Sequence, residues 1–188
     1  MLFRSQLALY DAHVQQMKQM LDGKSEAEFK SNKIQILAEL TKLRQLCCDP
    51  ALLFEDYKGE SAKVQMCMDL IGNAVHGGHK VLLFSQFTTM LDRLAEQLKK
   101  LGIDYYMLTG SVNKEKRMQM VDSFNKDDVP VFCISLKAGG TGLNLTAADI
   151  VIHTIHGGTL PCRIRQPDRK STRLNSSHWN KSRMPSSA

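Results

Sequence analysis

Apolar residues recur at helical spacing through the first third of the chain and then shift to short continuous runs. Leu7, Leu9, Tyr10, Val14, Met17 and Leu21 predict a helix over 7–21 that Gly23 ends. A second helix is predicted from about Ser25 through Ile34, Leu37, Leu40, Leu43 and Leu46. It stops before Asp49-Pro50, because the residue preceding a proline disfavours helical angles. Ser61 to about Val75 predicts a third helix with Val64, Cys67, Met68, Ile71 and Val75 on one face, ending in the turn His76-Gly77-Gly78-His79.

Beyond that turn, strand and helix patterns alternate. Val81-Leu82-Leu83-Phe84 is the continuous apolar run of a strand buried on both faces. An amphipathic helix comes next with Met90, Leu91, Leu94, Leu98 and Leu101, closed by Gly102. Tyr105 to Leu108 predicts a strand, Lys114 to Phe124 a helix, Val129 to Ile134 a strand and Ile150 to Ile152 a last strand. This order implies an α/β fold with a parallel sheet, and such sheets bind ligands in the loops that leave the carboxyl ends of their strands.

Three loops fall at those ends: Ser85-Gln86-Phe87-Thr88, Thr109-Gly110-Ser111 and the glycine loop Ser135 to Thr146. All are small and rich in hydroxyls or glycine, so backbone N–H groups and Ser/Thr hydroxyls can approach phosphate oxygens, helped by a following helix N-terminus. One such loop is weak evidence for phosphate contact; three at equivalent strand ends are much stronger. Two alternatives weigh against the glycine loop: Asn144 and Thr146 could cap a following helix. Gly140-Thr141-Gly142 could begin a dinucleotide fingerprint, but Leu145 occupies its third glycine position.

Composition excludes several classes. With 188 residues, 43% hydrophobic and 23% charged, the chain suits one globular core. No apolar run approaches the roughly 20 residues of a membrane-spanning helix, and no secretory signal pattern opens the chain; no membrane partner is expected. The five cysteines lack CxxC spacing and are read as reduced thiols, and His76 and His79 as solvated turn residues rather than metal ligands. The net charge of +6 is misleading as a nucleic-acid signal. Residues 168–188 carry +4, Arg163 and Arg165 add two and Arg4 one, which leaves 17 basic and 18 acidic residues in 6–153, a net −1.

Together these segments resemble the second RecA-like lobe of the Swi/Snf family of helicase-like, DNA-dependent ATPases. Leu82 to Thr88 resembles the family's fourth motif, Ser135 to Asp149 its fifth, and Leu43 to Pro50 the segment joining the two lobes. The Gly-Gly-Thr-Gly-Leu-Asn order is the most specific feature. The resemblance implies a three-layer RecA-like parallel sheet of the P-loop NTPase fold, preceded by helices; the C-terminal tail is expected to be disordered. It implies that Ser85, Gln86, Thr109, Gly110 and Thr141 touch DNA phosphates, while Gly140, Gly142 and Asn144 lie at the ATP interface. It also implies ATP and Mg as cofactors, bound mainly by a first RecA-like lobe of the same parent chain, with double-stranded DNA as partner. The expected location is the bacterial cytoplasm, associated with the nucleoid, or the nucleus in a eukaryote. The alternative function is a nucleic-acid-binding RecA-like module without motor activity.

After the last strand the family pattern breaks. Such lobes continue with Asp-Pro-Trp-Trp-Asn and then a Gln and two arginines, whereas this chain continues from Thr154 to Pro167 as TIHGGTLPCRIRQP. Back-translated and preceded by one restored T, those codons read YDPWWNPAVQNQAT, which implies a one-base deletion. Residues 168–188 and 1–5 resemble translated sequencing adapters and are read as artefacts. The expected organisation is therefore a helical lead-in at 6–60, a truncated lobe at 61–153 and a frameshifted remnant at 154–167. With no arginine of the sixth motif and no GxxxxGK[ST] loop in the chain, no catalytic residue is assigned and the segment alone is expected to be inactive.

Overall fold

Local capping sets most element boundaries. In the computed structural model, which describes residues 4–22, 32–57, 59–139, 142–154 and 163–165, helix α1 spans Arg4–Leu21 and α2 spans Lys33–Cys48. The start predicted for the second helix, at Ser25, lies outside the described residues, as do Gly23, Gly140, Thr141, residues 155–162 and the tail 166–188. Asp49 ends α2 with extended angles (φ −160°, ψ 123°), and its carboxylate accepts the Ala51 amide to start a one-turn 3₁₀ segment, Pro50–Leu52. Gln6 ties the first two helices together, its buried Nε2 donating to the Leu46 carbonyl at 2.7 Å.

Helix α3 spans Ala62–His76. Its N-cap Ser61 accepts the Val64 amide and donates to the Cys48 carbonyl at 2.7 Å, joining the lead-in helices to α3. Then come β1 (Val81–Ser85), α4 (Thr88–Lys100), β2 (Tyr105–Leu108), α5 (Lys114–Lys126), β3 (Val131–Ser135), the single turn α6 (Leu136–Gly139) and β4 (Ile150–His153). Gly102 comes after α4 at φ +66°, a left-handed conformation that glycine adopts without a Cβ penalty. The third strand begins at Val131 rather than Val129, because Val129 donates instead to the Asp127 carboxylate and Pro130 has no N–H to give a ladder.

With a fifth strand, β5 (Arg163–Arg165), the strand order is β2-β3-β1-β4-β5, with the first four parallel. The strand β5 (Arg163–Arg165) was not anticipated: it lies within the segment read as frameshifted and pairs antiparallel to β4. Every residue of β1 and β3 is buried, as continuous apolar runs in a two-sided sheet require. On one face Val81, Leu83, Val131, Cys133 and Ile152 pack with α3 and α4 through Ile71, Met90, Leu91, Leu94 and Leu98. On the other, Leu82, Phe84, Phe132, Ile134 and Val151 pack against Val121 and Phe124 of α5 and against Leu143, Leu145 and Ala148. The result is helix, sheet, helix: the three layers the resemblance implied.

A knot of polar contacts holds the end of α5. Lys80 Nζ donates to the carbonyls of Phe124 (2.6 Å) and Asp127, lies 3.6 Å from the Asp127 carboxylate and sits 4.6 Å from the centre of the Phe124 ring. Tyr106 donates its hydroxyl to the same carboxylate at 2.5 Å.

Candidate nucleic-acid and nucleotide interface

In-register pairing of the parallel strands brings their ends into one row. Ser85 of β1 is opposite Ser135 of β3, and Thr109 comes directly after Leu108, whose partner in β3 is Ile134. On the other side of β1, Thr154 comes directly after His153, whose partner is Phe84. The carboxyl edge of the sheet thus ends in four hydroxyl residues, Thr109, Ser135, Ser85 and Thr154. The hydroxyl at 154 falls in the segment read as frameshifted, so no role was expected of it; its amide and its hydroxyl both donate to the Phe84 carbonyl, at 3.0 and 3.3 Å.

These hydroxyls differ in what they can reach. Ser85 is fully buried and accepts the Phe87 amide at 3.2 Å, and Ser135 is buried and accepts the Ala138 amide at 3.3 Å. Each shapes the turn above it rather than facing solvent. Gln86 is exposed directly above Ser85. Thr109 is half-buried with its hydroxyl 2.8 Å from that of Ser111, and Gly110 between them is exposed. The thirteen-residue α4 begins two residues after Gln86 with Phe87 as N-cap and no side-chain acceptor. Helix α5 starts behind the Thr109 loop with Lys114, Glu115, Lys116 and Arg117 in its first turn and Asn113 capping the Lys116 amide at 2.9 Å.

The glycine loop divides at Gly140 and Thr141, which lie outside the described residues. Its first limb is α6, with Leu136 and Lys137 exposed. Its second limb resumes at Gly142 with φ +48°, then alternates: Leu143 and Leu145 are buried in the core, Asn144 and Thr146 exposed. The limb turns at 146–147 and enters β4, so no helix comes after Asn144 or Thr146 for either to cap, and the capping alternative is excluded. The Asn144 carbonyl accepts a hydrogen bond from Asn125 Nδ2 at 2.8 Å, close to the last turn of α5. The structure therefore gathers Ser85, Gln86, Thr109 and Gly110 at the strand ends, while the Asn144 main chain is held against the last turn of α5. Asn125, which holds this limb, carries no motif signature; the only hint in the sequence is a polar residue beside core Phe124.

Among the described residues no group of three His, Cys, Asp or Glu side chains could hold a metal ion, and no helix is long and apolar enough to cross a membrane. None of the described cysteines, Cys47, Cys48, Cys67 and Cys133, is in a disulfide. Cys133, buried in β3, has its pKa pushed up to about 12 by desolvation.

Residues 62–156 match the family described as Helicase conserved C-terminal domain. Chromodomain-helicase-DNA-binding protein 1-like from Danio rerio is 41% identical over 133 residues, covering 65% of this chain and 13% of that protein. The Putative ATP-dependent helicase/translocase YwqA of Bacillus subtilis is 34% identical over 154 residues, 79% of this chain and 16% of its own length. The chain thus spans only a small part of the curated relatives it matches. Among solved structures, the Sulfolobus solfataricus SWI2/SNF2 ATPase C-terminal domain superposes with a TM-score of 0.72 at 32% identity, covering 81% of this chain and 68% of that one. The ATPase core of the same organism in complex with dsDNA gives a TM-score of 0.70 at 29% identity, covering 81% and 33%. Just over half of the chain matches the helicase family, and two thirds of a solved lobe is covered at 32% identity; the chain belongs to the helicase C-terminal domain family, as a C-terminal ATPase lobe of the SWI2/SNF2 kind.

Proposed function

We propose that this chain is the second motor lobe of an ATP-dependent translocase that moves on double-stranded DNA. The observation that carries the reading is the single row of strand ends, with Gln86, Thr109 and Gly110 at the surface and two helix N-termini behind them. Such a row suits a phosphate backbone, since amides at helix N-termini and hydroxyls bind phosphate oxygens without reading base sequence. Ser85 contributes through the turn it holds, which presents Gln86. Thr141 belongs by resemblance to the DNA side, and Gly140, Gly142 and Asn144 to the face that meets ATP.

Hydrolysis requires a first lobe. Neither a GxxxxGK[ST] loop nor the arginine motif occurs in these 188 residues, so the segment binds and positions but does not hydrolyse by itself. Among the described residues no His, Cys, Asp or Glu cluster could hold a metal ion; by resemblance, Mg comes with ATP to the first lobe. ATP-dependent helicases among the relatives support this use of ATP, and the dsDNA complex of a structural neighbour supports the DNA partner.

The test uses the intact gene product that carries this segment. Its ATPase activity should rise on adding duplex DNA of any sequence, and the response should weaken with salt as phosphate contacts require. Stimulation by RNA alone would overturn the DNA assignment, and DNA binding without stimulated hydrolysis would favour a binding module that does no motor work.

A further inference from the structure

The second limb of the glycine loop, 143–148, runs outside the sheet, so its backbone needs hydrogen-bond partners other than a strand ladder. One side chain supplies two of them. Asn125 Nδ2 donates to the Asn144 carbonyl at 2.8 Å, and Asn125 Oδ1 accepts the Ala147 amide at 3.1 Å. A carboxamide is suited to this, because it offers a donor and an acceptor side by side, as a neighbouring strand would. The two bonds bracket Leu145, which is buried among the same residues as Phe124.

Asn125 is itself held firmly. Phe124, the preceding residue, is fully buried, and its carbonyl takes a hydrogen bond from Lys80 Nζ. Lys80 and Tyr106 also grip Asp127, two residues further on. The end of α5 is thus anchored to the residue preceding β1 and to β2, and from that anchor Asn125 reaches the limb that carries Asn144.

We propose that Asn125 is a positioning residue of the motor: by clamping the main chain at 144 and 147 it sets where the glycine loop presents Asn144 toward the ATP face. This rests on the proposed motor function for the consequence in turnover, but not for the clamp itself. Because the clamp holds the main chain at 144 and 147 and touches none of Ser85, Gln86, Thr109 and Gly110, its loss should lower turnover and leave the DNA requirement unchanged.

Two measurements test it. In the full 188-residue chain, Asn125→Ala should speed hydrogen exchange of the Ala147 amide about tenfold, as expected for one lost hydrogen bond to a main-chain group. Asn125→Asp, which keeps the acceptor, should leave that amide protected, and Lys126→Ala, an exposed neighbour, should match the wild type. In the intact gene product, Asn125→Ala should lower the DNA-stimulated kcat about tenfold with the DNA concentration for half-maximal stimulation unchanged, and Asn125→Asp should fall between the two. Unchanged exchange at Ala147 in Asn125→Ala overturns the clamp. Faster exchange with unaltered kcat overturns the positioning role, and so does a loss of kcat that comes with an equal loss of DNA affinity. If the wild-type gene product shows no response to DNA, the motor reading fails while the exchange data still decide the clamp.

Discussion

Arg93 Nε of α4 lies 3.2 Å from Oδ2 of Asp49, a carboxylate with no exposed surface at the end of the helical lead-in. The same carboxylate starts the 3₁₀ turn through Ala51, so one buried charge both ends α2 and ties it to the helix that begins just after Gln86. Arg93→Ala leaves that charge without its cationic partner and should destabilise the chain by about 2 kcal/mol. Denaturant unfolding should show a lower midpoint with an unchanged slope, and a double-mutant cycle with Asp49→Asn should show strong coupling.

Gln86 and Thr109 stand at the carboxyl edge without a structural task in the core. Gln86→Ala and Thr109→Ala should each weaken duplex DNA binding several-fold and by the same factor on unrelated sequences, because phosphate contacts carry no base information. Fluorescence anisotropy with two unrelated duplexes at one salt concentration measures this. A loss confined to one sequence would contradict phosphate contact.

The Tyr106 phenol has its pKa raised, first by its hydrogen bond to Asp127 and then by burial and the charge of that carboxylate. The folded state therefore holds the proton more tightly than the unfolded state. The stabilisation is fully present below the ordinary tyrosine value near 10 and is lost as pH rises through the raised folded value. Thermal melts between about pH 9 and 11 should show a decline that Tyr106→Phe makes shallower.

Cys133 should be inert, since its pKa of about 12 leaves almost no thiolate at neutral pH and the strand around it is closed. Half-buried Cys47, whose pKa is also raised by burial despite Lys63, should react slowly, but first among the described cysteines. Alkylation at about pH 8, near the ordinary thiol range, followed by mass spectrometry should show Cys133 labelled only after unfolding.

Gly142 adopts φ +48° with open space where a Cβ would go. Gly142→Ala should therefore cost about 1 kcal/mol through backbone strain rather than through a clash. Replacement by Asn, which tolerates the left-handed region, should cost less, and a comparison of melting temperatures decides between strain and clash.

Much of this was legible in the chain. Continuous apolar runs at Val81–Phe84 and Val131–Ile134, separated by helical periodicity, specify buried parallel strands with helices on both faces, because only that arrangement satisfies both periods at once. The three loops stem from the same pattern, since in a parallel sheet every βα connection leaves from one edge. What the sequence could not show depends on distance in space. That Ser85 and Ser135 turn inward while Gln86 faces out comes from the register of β1 on β3. The absence of a helix after Thr146 was hidden because a capping residue looks the same whether or not a helix comes after it. The pairing of β5 with β4 joins segments whose patterns give no hint of each other. Asn125 reaches Asn144 across 19 residues and Arg93 reaches Asp49 across 44, and one-dimensional periodicity carries no information about such pairs. Local pattern determined the elements and their edge; only packing decided which side chains at that edge face solvent and which hold the glycine loop.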